Sequence, residues 1–480
     1  MTPPSITSDD SIHSSTPKNR EKGNRKKDAC VRKNEKRKSR NDCKDSNETA
    51  SEPDQFIEVV VNSKEESFKT EKCIPYTDFQ FDDASVTNVS FITHFHSDHL
   101  NGLTSEDSNS DAKATTTQVV FATRTTCAIL ERIMDTKKEW YNRSIMGNTV
   151  ICKSIKCKIM DMDQEYVFIP INVKSNELIT KIKQWLGNQK YTLFYTNGIH
   201  EGENQTRIMI VRLIDANHCE GSCMFYYRII DIDIQFKFFL KFSMLYTGDF
   251  RHCERISRDI EKLGIESLDV LYVDDECYYH VGYNTFLLEE SVEYMRYQIK
   301  EMERVIPNLK VFFAFHTMKI EDAWIAVVRR FANDSKKDIY LDKKHKCYKD
   351  IIIGREIDIL NRITDDKENA KFYVVHENPF YDAEPKLKRE LKCIDQQPRI
   401  MFYHICDSMQ GPVFVQRMNK RTITSTLWNI QYGKHCTKAE LNDFLSIKHH
   451  FLVSINNSIP KTVDTKATHI TRLGECLDED

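Results

Sequence analysis

The segment Phe91–Leu103, FITHFHSDHLNGL, places His94, His96, Asp98 and His99 within six positions. An apolar, β-branched stretch precedes them. Side chains alternate along an extended chain, so His94 and His96 leave the strand end on the same side, and Asp98 and His99 come from the turn that follows. Imidazole nitrogen and carboxylate oxygen are zinc's usual N and O donors, so the window suits one or two Zn²⁺ ions. A single histidine is most often a satisfied core or surface residue; four such groups crowded together leave that reading little room. Two later segments can complete the set. Asp215–Cys223, DANHCEGSC, follows the apolar run Ile208–Ile214 and presents His218 from a turn. Leu245–Arg251, LYTGDFR, ends another apolar run and puts Asp249 at a strand terminus. Cys219 and Cys223 lie beside His218, but no second CxxC pair exists, and they read as core thiols.

These residues need strands to carry them. Phe56–Val61, Val86–Thr93 and Val119–Ala122 have the short β-branched or aromatic character of strands, and Thr123–Thr136 reads as a helix. Ile208–Ile214, Cys223–Ile230 and Phe236–Tyr246 suit an antiparallel meander, with Val270–Val273 as a further strand. The stretch 137–205 is hydrophilic and reads as irregular, an insertion. From Glu289 the style changes: Glu289–Val305 is helical in spacing, Val311–Phe315 strand-like and Glu321–Ala332 helical again, an α/β alternation. There is no repeat of fixed period.

Composition sets the outer bounds. A chain of 480 residues with 40% hydrophobic side chains has ample material for a large core. Glycine numbers only 14, which tells against Gly-rich nucleotide folds. No apolar run approaches the ~18–20 residues that span a bilayer, and MTPPSITSDD lacks the apolar core of a secretory signal, so no membrane partner is expected. Fifteen scattered cysteines fit reduced thiols. Residues 1–56 hold 13 basic and 10 acidic side chains and few large apolar ones, and are expected to be a disordered basic tail. Its clusters Arg25–Lys27 and Lys36–Lys38 fit a solvated tail, a phosphate-binding arm or a nuclear-import signal.

Taken in order, HxHxDH, the later DANHC turn and TGDFR resemble the metallo-β-lactamase fold of nucleases, and more narrowly the β-CASP group of DNA cross-link repair nucleases, the relatives of Artemis and Apollo. The match spans about residues 72–458. It implies an α/β (α+β) protein: an αββα metallo-β-lactamase domain in 57–279, a β-CASP α/β domain inserted at 280–424, and a closing part with the C-terminal tail at 425–480. It further implies that one zinc takes His94, His96, His218 and Asp249, and a second takes Asp98, His99, His435 and the shared Asp249. His435 lies in Gln431–Leu441, QYGKHCTKAEL, which resembles the family's YSEHSS. By the same resemblance Asp98, His99, Asp249 and Asp274 form the catalytic set, and Asp78 in IPYTDFQF and Asp274 orient ligands from behind. The chain departs from the pattern at Glu220, where the family has Pro, and at Phe315–Asp322, FHTMKIED, against the family's TYSIGKEK. There Lys319 stands where Gly is expected and Ile320 where Lys is. Lys319 and His376 are the candidate phosphate contacts, though His376 also suits a surface strand end. Ile455 falls where RNA-acting members carry His and DNA-acting members Val. The resemblance therefore implies a zinc-dependent DNA nuclease of the nucleus, a 5′→3′ exonuclease in cross-link or double-strand break repair. Its partners would be DNA with free 5′ ends and repair proteins. An endoribonuclease and a metal-binding homologue with weakened catalysis are the alternatives.

Overall fold

Alternation governs the two longest strands. In Thr206–Asp215, Ile208 and Ile210 face one side and Met209, Val211 and Leu213 the other, and all five are buried. A strand apolar on both faces must lie between two layers, and the partner strand Cys223–Ile232, antiparallel to it over its full length, is buried on both faces too. The computed structural model describes residues 57–59, 72–105, 117–135, 150–276, 288–375, 400–454 and 469–472. It omits within them 152–153, 174, 203–204, 307–308, 315–320, 332–336, 343–348, 352–355, 407–414, 421–422 and 432–433. The chain divides after Gln55, and all the described residues belong to the unit Phe56–Asp480.

The fold is α/β. A nine-stranded sheet runs, edge to edge, through Ile57–Val59, Tyr191–Thr196, Glu165–Pro170, Thr206–Asp215, Cys223–Ile232, Phe238–Tyr246, Ser267–Val273, Lys448–Ser454 and His469–Arg472. A four-stranded parallel sheet of Gln80–Phe81, Val89–Phe91, Gln118–Thr123 and Ile155–Met160 faces it. Between the two lies a core rich in aromatic rings: Phe91 is stacked on Phe121 at 5.0 Å and meets Phe225 edge-on at 5.5 Å. Each such ring, fully buried, contributes roughly 1.5–3 kcal/mol. Helices cover the outer faces. Arg124–Asp135 packs Ile129 and Leu130 on the four-stranded sheet. Asn176–Leu186, Glu254–Lys262 and Lys438–Phe444 pack on the nine-stranded one.

After Ser267–Val273 the chain leaves this pair of sheets and builds a seven-stranded sheet, ordered Ile363–Thr364, Ile339–Leu341, Phe372–Val375, Lys310–Ala314, Ile400–Cys406, Ile423–Gln431 and Val415–Lys420. Helices Leu288–Val305 and Glu321–Arg329 share its core. The chain then returns, and Lys448–Ser454 pairs in parallel with Ser267–Val273. Strand Ile423–Gln431 crosses the boundary expected at residue 424.

The meander, the helix after Thr123 and the α/β alternation beyond Glu289 are present within a residue or two at most ends. One strand starts later than expected, at Phe238, because Asp233 accepts backbone N–H bonds from Gln235 and Lys237 and closes a tight turn. The stretch 137–205 is a correction: its described part, far from irregular, holds strands Ile155–Met160, Glu165–Pro170 and Tyr191–Thr196 and helix Asn176–Leu186. No described helix is long and apolar enough to cross a membrane.

Candidate metal centre

Strands Thr206–Asp215 and Phe238–Tyr246 run the same way, each antiparallel to the strand between them, and Ser267–Val273 is parallel to the second. Their carboxyl ends therefore share one edge of the sheet, where His218, Asp249 and Asp274 follow in the connecting turns. The facing sheet delivers His94 to the same edge: Cys223 N–H donates to Thr93 O at 3.0 Å, stitching the two sheets at that end. A groove beyond the carboxyl ends of strands is where open α/β sheets place ligands.

Backbone shape aims the side chains. Gly248 has φ +53, and a Cβ there would lie 2.7 Å from the Thr93 side chain, so the turn presenting Asp249 needs glycine for both its conformation and its contact. Asn217 has φ +55, and its side-chain amide donates to Arg251 O at 3.0 Å, locking the His218 turn against the Asp249 turn.

The inward atoms converge. His94 Nε2 is 2.5 Å from His96 Nδ1, and His218 Nε2 is 3.3 Å from that same nitrogen. Asp249 spans the cluster: Oδ1 is 3.1 Å from His99 Nε2, and Oδ2 is 3.5 Å from Nε2 of both His94 and His218. His94, His96, His99, His218, Asp249 and His435 are all buried, whereas Asp98 is exposed, with Oδ2 3.5 Å from His99 Nε2. Three sets have ligand atoms within 4.8 Å of one another: His94, His96, His218 and Asp249; Asp98, His99 and Asp249; and Asp249, Asp274 and His435. Asp249 belongs to all three. Buried imidazole nitrogens and carboxylate oxygens gathered within 4.8 Å of one another are a donor set that fits a metal ion. The structure thus brings together every expected ligand, with His435 grouped with Asp274 rather than with Asp98 and His99.

Outward atoms fix the rings. His99 Nδ1 donates to Asp82 Oδ2 at 2.7 Å, and that fully buried carboxylate also accepts from Thr93 N–H at 2.7 Å and the Thr93 hydroxyl at 2.8 Å. His435 Nδ1 donates to Asp274 Oδ2 at 2.6 Å, and His218 Nδ1 to Lys434 O at 3.1 Å. Each bond leaves Nε2 as the atom facing the cluster. Asp274 therefore sits in its expected orienting place. Asp78 does not: its carboxylate is 2.9 Å from Nε2 of the half-exposed His200, and Asp82, four residues on, stands behind His99 instead. Asp82 and Lys434 were not legible as site residues; DFQFDD holds three acids, and only the positive φ of Asp82, at +48, singles one out. Glu276, with Oε2 3.2 Å from His435 Nε2, is a further acid at the rim. Lys319, His376 and Ile455 lie outside the described residues.

The electrostatics follow from this packing. Burial alone would lower the pKa of His99, but the carboxylates of Asp249 and Asp82 outweigh it and raise it well above the ordinary imidazole value. His435 behaves likewise: against burial, Asp274, Asp249 and Glu276 raise it to about 10. His94 is lowered, by burial and then by the charge of His99. Asp249 stays well below the usual carboxylate range, since His99, His94 and His218 outweigh its burial. Cys223 is no ligand: its thiol donates to Thr93 O, and burial holds its pKa well above that of a free thiol.

No family model and no curated protein matches the chain. The centre's chemistry is therefore carried by its own residues: buried imidazoles and carboxylates that can hold a metal ion.

Proposed function

We propose that the chain is a zinc-dependent phosphodiesterase of the metallo-β-lactamase type with a β-CASP insert, a nuclease acting on DNA from 5′ ends. The observation that carries this reading is the convergence of His94, His96, Asp98, His99, His218 and His435 around the Asp249 carboxylate, in the chain order of the motifs. The helix–sheet–sheet–helix layering and the seven-stranded unit placed between Ser267–Val273 and Lys448–Ser454 favour the same family. So does a detail of the divergent segments. Aligned as above, the family's GKEK and YSEHSS put Lys and Glu at the positions of Asp322 and Lys434, whose side chains form an ion pair at 2.6 Å with the charges exchanged.

Zinc is the metal of choice because the donors are imidazole and carboxylate, and when bound it acidifies water and stabilises the charge that builds on a phosphodiester in hydrolysis. The protein's part is preorganisation. Asp249 offers one oxygen to each side of the cluster, and Asp82, Asp274 and Lys434 O hold three histidines in the tautomer that turns Nε2 inward. Burial of the ligands strengthens the field they set up. Exposed Asp98 and Glu276 mark the side open to a substrate. The choice of DNA over RNA rests on Ile455 in place of histidine, and a 5′-phosphate contact is assigned to Lys319 and His376. Nuclear location, through the basic clusters of residues 1–56, and DNA-repair partners belong to the same reading.

The test is cleavage of end-labelled single-stranded DNA, duplex DNA and RNA of one sequence, with 5′-phosphate or 5′-hydroxyl ends, with and without chelator. Chelator-sensitive release of nucleotides from 5′-phosphorylated DNA is expected, and Asp249→Asn abolishes it while leaving the fold intact, since an amide supplies no negative charge. Equal or faster cutting of RNA overturns the DNA assignment. Full activity of a folded Asp249→Asn protein overturns the site.

A further inference from the structure

Lys434 is an unusual residue to find behind a metal centre. Its side chain is 4% exposed, yet it carries a charge, and burying an ammonium is strongly unfavourable unless a partner takes it up. Asp322 of helix Glu321–Arg329 in the seven-stranded unit supplies a counter-charge: Lys434 Nζ donates to Oδ2 at 2.6 Å. Asp322 is itself fixed, because Oδ1 accepts the Ala323 N–H at 3.0 Å in the helix's first turn. Lys434 is also the residue whose carbonyl receives His218 Nδ1–H, and His435 follows it directly. One backbone segment thus sets two metal-facing histidines, and its side chain is anchored on the other sheet unit. On the far side the same loop is held by the Thr437–Glu440 capping box, and Arg251 reaches Glu440 at 3.2 Å.

We propose that the Lys434–Asp322 pair is a positioning device: it is the tie through which the seven-stranded unit holds His218 and His435 in their metal-binding orientation. The inference rests on the metal-centre reading above, though not on the identity of the substrate. If Asp322 is neutralised, the Lys434 ammonium loses the carboxylate charge that holds it against helix Glu321–Arg329, and the backbone segment that carries it is free to shift. Its carbonyl then leaves His218 Nδ1, and the ring is free to turn or to change tautomer. Lys434→Met removes the charge and the tie together while filling the same space. Coupling of this kind is reciprocal, so filling the metal site also steadies the helix that carries Asp322.

The experiment is titration of chelator-stripped protein with Co²⁺, read by its d–d absorption, which reports ligand geometry as well as affinity and needs no nuclease activity. Asp322→Asn and Lys434→Met should each weaken Co²⁺ binding about 10–100-fold, as loss of a ligand-orienting partner does, and alter the absorption band. The exchanged double variant Asp322→Lys/Lys434→Glu should recover affinity to within a few-fold of the wild type. Lys434→Met, which leaves no buried charge behind, reads the tie should Asp322→Asn fail to fold. Wild-type affinity and spectrum in both single variants, or additive losses in the double, overturn the proposal and reduce the pair to a general stabilising contact. Wild-type protein that binds no Co²⁺ overturns the metal-centre reading itself. Protein that binds Co²⁺ but cuts no nucleic acid overturns only the nuclease reading.

Discussion

Asp82 and Asp78 are four positions apart and do opposite things. Asp82 is fully buried and holds His99 Nδ1 at 2.7 Å, while Asp78 pairs with half-exposed His200. Asp82→Asn should therefore weaken metal binding about 10–100-fold, because the amide no longer holds the His99 ring as a charged acceptor. Asp78→Asn should leave affinity unchanged, as an exposed pair contributes ~0–1 kcal/mol at most. Calorimetric zinc titration of the two variants decides it, and equal losses would show that Asp82 is not special. Among the candidate ligands, His94, His96, Asp98 and His99 stand out in the sequence because they crowd into one short window, whereas His218 and Asp249 lie singly in separate turns and His435 rests on the motif resemblance. The orienting groups do not stand out. A backbone carbonyl such as that of Lys434 has no sequence signature, and choosing among Asp78, Asp82 and Asp83 requires knowing which one the chain turns inward.

At the scale of elements, the strands within 137–205 escaped the sequence: Glu165–Pro170 and Tyr191–Thr196 have apolar runs set in a polar stretch, and Ile155–Met160 is diluted by lysine. Ile155–Met160, IKCKIM, buries only its two ends, Ile155 under helix Arg124–Asp135 and Met160, on the opposite face, in the core between the sheets, so neither an apolar run nor a clean alternation marks it. Helix Glu321–Arg329 holds the opposite surprise, an acid on its buried face. Glu321 is 6% exposed with Oε1 lacking a hydrogen-bond partner, and burial, reinforced by Asp322 and Glu220, raises its pKa to about 8. The unfolded chain ionises this group near its ordinary value of 4.5, so its contribution to stability is fully present below that pH and is lost as pH rises through about 8. Glu321→Gln stays neutral throughout. Denaturant unfolding should show the wild type losing up to about 1.4 kcal/mol per pH unit in that window relative to the variant. Identical pH profiles would mean that Glu321 is solvated in solution.

For the molecule as a whole, the centre stores protons when it lacks metal. His435, raised to about 10, is protonated at neutral pH, and His99 is shifted in the same direction, so a metal must displace a proton to bind. Zinc affinity should therefore climb by at least one log unit per pH unit between about pH 6 and 8. In stripped protein the His435 contribution to stability is complete below about pH 6.5 and lost as pH rises through about 10, whereas zinc-loaded protein needs no such proton. Melting curves of the two forms should separate as pH increases, and a constant gap would refute the linkage. The assembly of this centre also bears on how the protein is made. His94 and His435 are 341 positions apart, and the whole seven-stranded unit is synthesised between them. At ~5–20 residues per second a ribosome needs roughly 20–70 seconds to cover that distance. In the later part of that interval, once Val273 has been made, the emerging chain carries His94, His96, His99, His218 and Asp249 with no His435, no Lys434 carbonyl for His218, and a sheet still missing Lys448–Ser454 and His469–Arg472. A chaperone that shields this half-built edge, or one that delivers metal only after release, would act on a window that the chain's own topology opens.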